Sequence, residues 1–214
     1  FYGLCKSILG GEPPEQKIIK GSLPEVSELK LPYQYYSNED IKNRVIYVEA
    51  SRGCPYKCEF CLSSLDTSVR SFDLEVFLNE MQTLIDRGVK QFKFVDRTFN
   101  LSITKSKKIL EFFLAKVHLG LFLHFELVPD RLPEELKEVI KKFPHGSLQF
   151  EIGVQTWSPK VARLVSRRQD YEKVIQNFYQ SVGETVTTKI IKWVGVAAVG
   201  LILWAVGSGH FEIK

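Results

Sequence analysis

Arg44-Val45-Ile46-Tyr47-Val48-Glu49-Ala50-Ser51-Arg52-Gly53-Cys54-Pro55-Tyr56-Lys57-Cys58-Glu59-Phe60-Cys61 is the stretch around which the rest of the chain arranges itself. Val45 to Val48 is β-branched and aromatic, the composition of a strand. Arg44 to Ala50 therefore reads as a buried strand that runs straight into a loop. The loop carries Cys54, Cys58 and Cys61 in the spacing CxxxCxxC, with Phe60 immediately before the last. In parallel sheets the functional groups gather on loops at the carboxyl ends of strands, because helices cover the sides.

Downstream the pattern repeats. Asp73 can cap a helix from Leu74 to about Arg87, with Phe77, Leu78, Met81, Leu84 and Ile85 at helical spacing and Gly88 as its stop. Gln91 to Val95 reads as a second strand, ending in Asp96-Arg97. Thr104 to Val117 reads as a second helix, with Ile109, Phe112 and Phe113 on its inner stripe. Leu121 to Leu127 is a third strand, and Pro133 to Phe143 a third helix with proline in its first turn. Leu148 to Val154 is a fourth strand ending in Gln155-Thr156, after which Ser158 can cap a helix beginning at Pro159. Strand and helix alternating in units of roughly 30 residues predict parallel βαβ construction. The strands end in the cysteines, Asp96, Glu126 and Gln155, so all of these face one mouth.

The two ends read differently. Phe1 to Asn43 holds Pro13, Pro14, Pro24 and Pro32 with Gly10, Gly11 and Gly21, which predicts an irregular connector. Cys5 lies there alone, as a small apolar filler. Past Asp170, Tyr171 to Gln180 has helical character. Residues 181–214 form an apolar tail in which Trp193 to Gly209 carry no charge. As a helix that run spans about 25 Å, short of a ~30 Å hydrocarbon core, so a membrane segment and a buried strand pair both remain open.

Composition narrows the class. Hydrophobic content of 44% and charged content of 25% belong to a folded globular chain and exclude a disordered one. A net charge of +4 is spread along the chain, so no nucleic-acid partner is expected. Clustering three of four cysteines on one loop is not how secreted disulfide frameworks distribute them, which points to a reducing, cytoplasmic compartment. The single methionine is Met81 and the first residue is Phe1, so the chain reads as a fragment of something longer.

Three thiolates on one short loop can hold three irons of a cubane 4Fe–4S cluster and leave the fourth iron open. A zinc site needs a fourth ligand, and the next histidine, His118, is far downstream. A disulfide leaves one cysteine over.

Cys54, Cys58 and Cys61, with Phe60 before the last, resemble the signature of the radical S-adenosylmethionine superfamily. From about Tyr47 to Asp170 the chain is similar to its cobalamin-dependent branch. The phrases that carry this are Glu49-Ala50-Ser51-Arg52-Gly53-Cys54, Phe94-Val95-Asp96-Arg97-Thr98-Phe99-Asn100 and Phe150-Glu151-Ile152-Gly153-Val154-Gln155-Thr156. The resemblance implies a partial parallel (β/α) barrel of about four strand–helix units, spanning residues 44–180. It implies a 4Fe–4S cluster and S-adenosylmethionine as cofactors, and reductive cleavage of the latter to start radical chemistry such as methyl transfer. Phe60 would lie by the adenine. Asp96, Glu126 and Gln155 would hold the amino group, ribose or methionyl part, and Arg167 or Arg168 the methionyl carboxylate, for which a guanidinium fork is suited. A flavodoxin or ferredoxin would be the reductant.

The resemblance also has edges. Residues 1–43 correspond at most to the exit linker of a cobalamin-binding domain; no Asp-x-His-x-x-Gly phrase occurs, so cobalamin is not expected to bind these residues, and the resemblance extends it only to a full-length parent. Past about Ser181 the pattern stops. The competing reading is a non-catalytic domain, holding zinc or a degraded cluster, tethered to a membrane by the tail.

Overall fold

The structure, a computed structural model, describes residues 2–19, 21, 24–177, 187–192 and 201–205. Its contacts divide the chain into two units, Phe1–Lys30 and Leu31–Lys214. The first unit contains helix α1 (Tyr2–Leu9), with Cys5 on it, so this part of the expected connector is helical.

The second unit begins earlier than the composition suggests, because residues 31–43 pack with the sheet. Tyr33 is buried and lies edge-on to Phe77 at 6.4 Å. Its hydroxyl donates to the carbonyl of Glu49 at 3.2 Å and accepts from the Glu49 amide at 2.9 Å. It thus satisfies both backbone groups where the first strand ends and no neighbour strand remains to do so. Helix α2 (Asn38–Asn43) opens with a reciprocal cap: the Asp40 amide donates to Ser37 Oγ at 3.1 Å, and the Ser37 amide to Asp40 Oδ2 at 2.9 Å.

Strand β1 (Ile46–Val48) is shorter than the Arg44–Ala50 expected from composition. Ser51–Arg52 (β2) leaves the main sheet and pairs antiparallel with Arg70–Ser71 (β3). Helix α3 (Leu74–Asp86) starts at Asp73, whose Oδ1 accepts from the Val76 amide at 2.9 Å. Strand β4 (Gln91–Phe94), helix α4 (Ile103–Leu114), strand β5 (Phe122–Leu127), helix α5 (Glu134–Ile140) and strand β6 (Leu148–Gly153) follow. Ser158 caps helix α6 (Pro159–Leu164) and Asp170 caps helix α7 (Tyr171–Ile175). Each expected strand and helix from Leu74 to Leu164 is present, with ends trimmed by a few residues.

The main sheet runs β1-β4-β5-β6-β7-β8, where β7 is Thr187–Lys192 and β8 Leu201–Ala205. The first five strands pair in parallel and β8 returns antiparallel to β7. A fifth parallel strand thus extends the four expected, and part of the apolar tail is a strand pair. Residues 193–200 and 206–214, the rest of that tail, and 178–186 lie outside the described residues. Among the described residues no helix is long and apolar enough to cross a membrane.

Burial along the strands alternates rather than running continuously. One face is apolar and covered by helices. There Phe92, Phe94, Phe125 and Phe150 are fully buried, with Phe94 and Phe125 4.4 Å apart between centroids and Phe92 5.2 Å from Phe113 of α4. Each such ring contributes roughly 1.5–3 kcal/mol by leaving water. The other face carries Tyr47, Lys93, His124, Glu126 and Glu151, none of them fully buried. A parallel sheet covered on both faces would be apolar on both. Polar residues on the second face are what an open barrel leaves for a ligand.

Candidate active site

The cysteine loop leaves β2 and returns through β3, so a two-residue antiparallel ladder ties its base. Just inside, the Cys54 amide donates to the Asp66 carbonyl at 3.0 Å, and Asp66 pairs with Arg70. Gly53 makes this closure feasible. Its φ is +93°, and a Cβ there would stand 2.2 Å from the Ser68 carbonyl oxygen. Farther along, the Cys61 amide donates to the Cys58 carbonyl at 3.1 Å, and Ser64 Oγ donates to the Cys61 carbonyl at 2.6 Å.

The three thiols line one cavity of about 450 Å³ together with Phe60, Arg97, Glu126, Glu151, Gln155 and Arg167. Cys58 is buried, and Cys54 and Cys61 are half-buried. Burial, foremost, pushes the Cys54 thiol up; the nearness of Cys61 and Cys58 adds to that, while the Tyr56 amide and Arg167 oppose it. A metal that binds here must displace that proton. Among the described residues no three of Cys, His, Asp and Glu gather tightly enough to share one ion. A tetrahedral zinc site needs its sulfurs about 2.3 Å from a single point. In an iron–sulfur cube each thiolate meets a different iron, so three thiols lining one cavity suit the cube.

Arg167 binds the loop to the sheet. Its guanidinium donates to the Gly153 carbonyl at 2.7 Å, lies 3.8 Å from Cys58 Sγ, and faces the Tyr56 ring at 5.8 Å. Gln155 has φ of +65°, left-handed backbone that costs a non-glycine residue roughly 1–2 kcal/mol. Its side chain folds back over Gly153, where a Cβ would meet Gln155 Nε2 at 2.4 Å. Gln155 Oε1 is buried and accepts no hydrogen bond from any described residue. A strained backbone and an orphaned acceptor on a cavity wall are the fit a donor-bearing ligand would complete.

Glu126 accepts from Arg97 through both oxygens, at 3.2 and 3.1 Å. Glu151, its register partner on β6, lies 3.2 Å from His124 Nε2 and 3.5 Å from Lys93 Nζ. Contact with His124, and then the Lys93 charge, hold its carboxyl below the usual range. The His124 contact is close but poorly aligned, since that nitrogen makes no hydrogen bond by direction. Phe60 is 50% exposed at the rim.

Two expected site residues stand elsewhere. Asp96 is 1% exposed and turns beneath the loop's entry, where its carboxylate accepts from the Ala50 amide at 3.0 Å and from Ser51 Oγ at 2.7 Å. Burial raises its pKa to about 6. Arg168 lines a separate cavity behind the loop. Arg97, Tyr56 and Glu151 reach the thiol cavity without having been singled out in the sequence. For Glu151 the signal existed: it occupies the inner-face position of an alternating strand, two residues before Gly153. Asn100 was equally silent; it ties strand-end loops together, accepting from the Val128 amide and donating to the Val128 carbonyl, both at 2.8 Å.

Comparison with known proteins agrees with this fold. The profile of the Radical SAM superfamily matches residues 48–190. A ribosomal protein uS12 methylthiotransferase, RimO, from Phocaeicola vulgatus is 27% identical over 148 residues, covering 64% of this chain and 34% of that protein. A tryptophan 2-C-methyltransferase from Streptomyces laurentii is 33% identical over 95 residues, 39% of this chain and 16% of that one. Among solved structures, the radical S-adenosylmethionine methyltransferase TsrM from Kitasatospora setae, with cobalamin and a [4Fe-4S] cluster bound, superposes with a TM-score of 0.57 at 19% identity, over 69% of this chain and 28% of that one. The chain spans about a third of the length of the curated relatives that match it over most of its residues.

Proposed function

This chain belongs to the radical S-adenosylmethionine superfamily, and from that premise we propose that Cys54, Cys58 and Cys61 hold a 4Fe–4S cluster whose open iron takes S-adenosylmethionine for reductive cleavage. A 4Fe–4S cluster and S-adenosylmethionine are the cofactors of the superfamily; the reduced cluster would supply one electron to the sulfonium of S-adenosylmethionine, breaking one carbon–sulfur bond to give methionine and a 5′-deoxyadenosyl radical. One observation carries the reading: three thiols from a single loop and two further strand ends, at Glu126 and Gln155, line the same cavity.

The residues divide the work. Arg167 fixes the loop against β6 and places a cation beside Cys58, where it also offers N–H groups to a carboxylate. Gln155 Oε1 accepts from the amino group of the bound cofactor. Phe60 offers an aromatic wall to the adenine. Glu126 and Glu151 line the same cavity, each paired with a cation. Asp96 acts as a positioning residue, through Ala50 and Ser51.

In the full-length parent this chemistry serves transfer of a methyl or related carbon-centred group, in keeping with the methyltransferases and methylthiotransferases it is similar to. Anaerobic reconstitution tests the reading. About four irons and four sulfides per chain, with 5′-deoxyadenosine released on reduction, support it. A single bound zinc and no cleavage overturn it.

A further inference from the structure

We infer that the outer face of the cysteine loop docks a small acidic iron–sulfur electron carrier, held by Lys57, Arg163 and Arg168. The inference rests on the cluster reading above, which needs an electron from outside.

Behind the loop lies a second cavity of about 750 Å³, lined by those three cations with Ser166 and Tyr171. Tyr56 and Arg167 line this cavity and the thiol cavity alike. One layer of side chains therefore separates the outer face from the sulfurs.

The charges are available. Lys57, Arg163 and Arg168 are exposed, and none forms an ion pair or side-chain hydrogen bond among the described residues. Asp170 lies 3.6 Å from Lys173, and Glu59, which accepts from the uncharged Ser166 Oγ at 2.9 Å, is one carboxylate against three cations. Leu164, 72% exposed on the same segment, supplies an apolar contact. Unpaired cations around an apolar point steer an acidic partner into a brief, small-area encounter, the kind electron transfer uses. The face is also tied to the loop, because the Glu59 amide donates to the Val165 carbonyl at 3.1 Å.

The transfer moves one electron from the carrier's reduced centre to the cluster held by the thiols. No bond forms or breaks and no proton moves.

The test uses the whole chain, a 2Fe–2S ferredoxin of acidic surface as probe, and the triple variant Lys57→Glu, Arg163→Glu, Arg168→Glu. Titration calorimetry at low and high salt is expected to show binding that weakens with salt and falls at least about tenfold in the variant. The variant should hold as much iron and sulfide as the parent and be reduced to the same final extent by excess dithionite, showing that the fold and the cluster are intact. Equal binding by variant and parent overturns the docking face. So does binding of a single-stranded oligonucleotide in preference to the ferredoxin. Binding to cluster-free protein is read separately, so failure to assemble any cluster counts against the cluster reading, and loss of ferredoxin binding alone counts against this face.

Discussion

Arg167 and Cys58, 109 residues apart in sequence, stand with a guanidinium nitrogen 3.8 Å from the sulfur. The same guanidinium donates to the Gly153 carbonyl at 2.7 Å, so one side chain spans the thiol loop and the end of β6. Arg167→Ala should remove that hydrogen bond and free the loop, lowering stability by about 1–3 kcal/mol. Arg167→Lys keeps the charge without the fork and should recover part of the loss. Thermal unfolding of the two variants, with iron content after reconstitution, checks this. Equal behaviour of both with the parent would remove Arg167 from the site.

Asp96 should make stability depend on pH with an unusual sign. Folded, its pKa is raised to about 6, chiefly by burial; unfolded, it lies near 3.9. Between those values the folded state binds more protons, so this group's contribution is full below about pH 4 and is lost as pH rises through about 6. The loss is on the order of 3 kcal/mol. Asp96→Asn can still accept from the Ala50 amide and donate to Ser51 Oγ, and it cannot ionise. Urea unfolding between pH 4 and 7 should show that slope in the parent and lack it in the variant.

Gly53→Ala should be among the most damaging small substitutions in the chain. The new Cβ meets backbone, the Ser68 carbonyl oxygen at 2.2 Å, at a φ of +93°. Neither can yield without opening the loop, so a loss on the order of 3 kcal/mol is expected. Loss of cluster assembly should accompany the drop in melting temperature.

Gln155 should show function opposed to stability. Gln155→Gly relieves a left-handed backbone and removes a buried unpaired acceptor, so stability should rise by about 1 kcal/mol. Affinity for S-adenosylmethionine should fall in the same variant. Gly153→Ala displaces only the flexible end of the Gln155 side chain, from 2.4 Å, and should lower affinity with little change in stability.

Much of this was legible in the sequence because it is periodic. Helix stripes such as Phe77, Met81 and Leu84, and alternating strands such as Leu148 to Val154, report which face is covered. The cysteine spacing reports a loop that carries its own chemistry. Tertiary pairings leave no such period. Tyr33 substitutes for a neighbour strand at Glu49, and β2 meets β3 over two residues, too short for any pattern to show. Direction at a strand's end is likewise invisible. Asp96 and Glu126 both stand near strand ends, yet Lys93 pairs with His124, which sets Glu126 on the cavity face and Asp96, one place out of step, under the loop. Arg167 and Arg168 are neighbours that line different walls: both reach the outer cavity, and only Arg167 reaches the thiols.

The most direct test is the electron paramagnetic resonance spectrum of the reconstituted, reduced chain, recorded with and without S-adenosylmethionine. A cluster held by Cys54, Cys58 and Cys61 with one iron open predicts a reduced-cluster signal that shifts when the molecule is added, and no signal when any of the three is changed to alanine. A signal indifferent to S-adenosylmethionine, or no iron–sulfide centre at all under strict exclusion of oxygen, would contradict it.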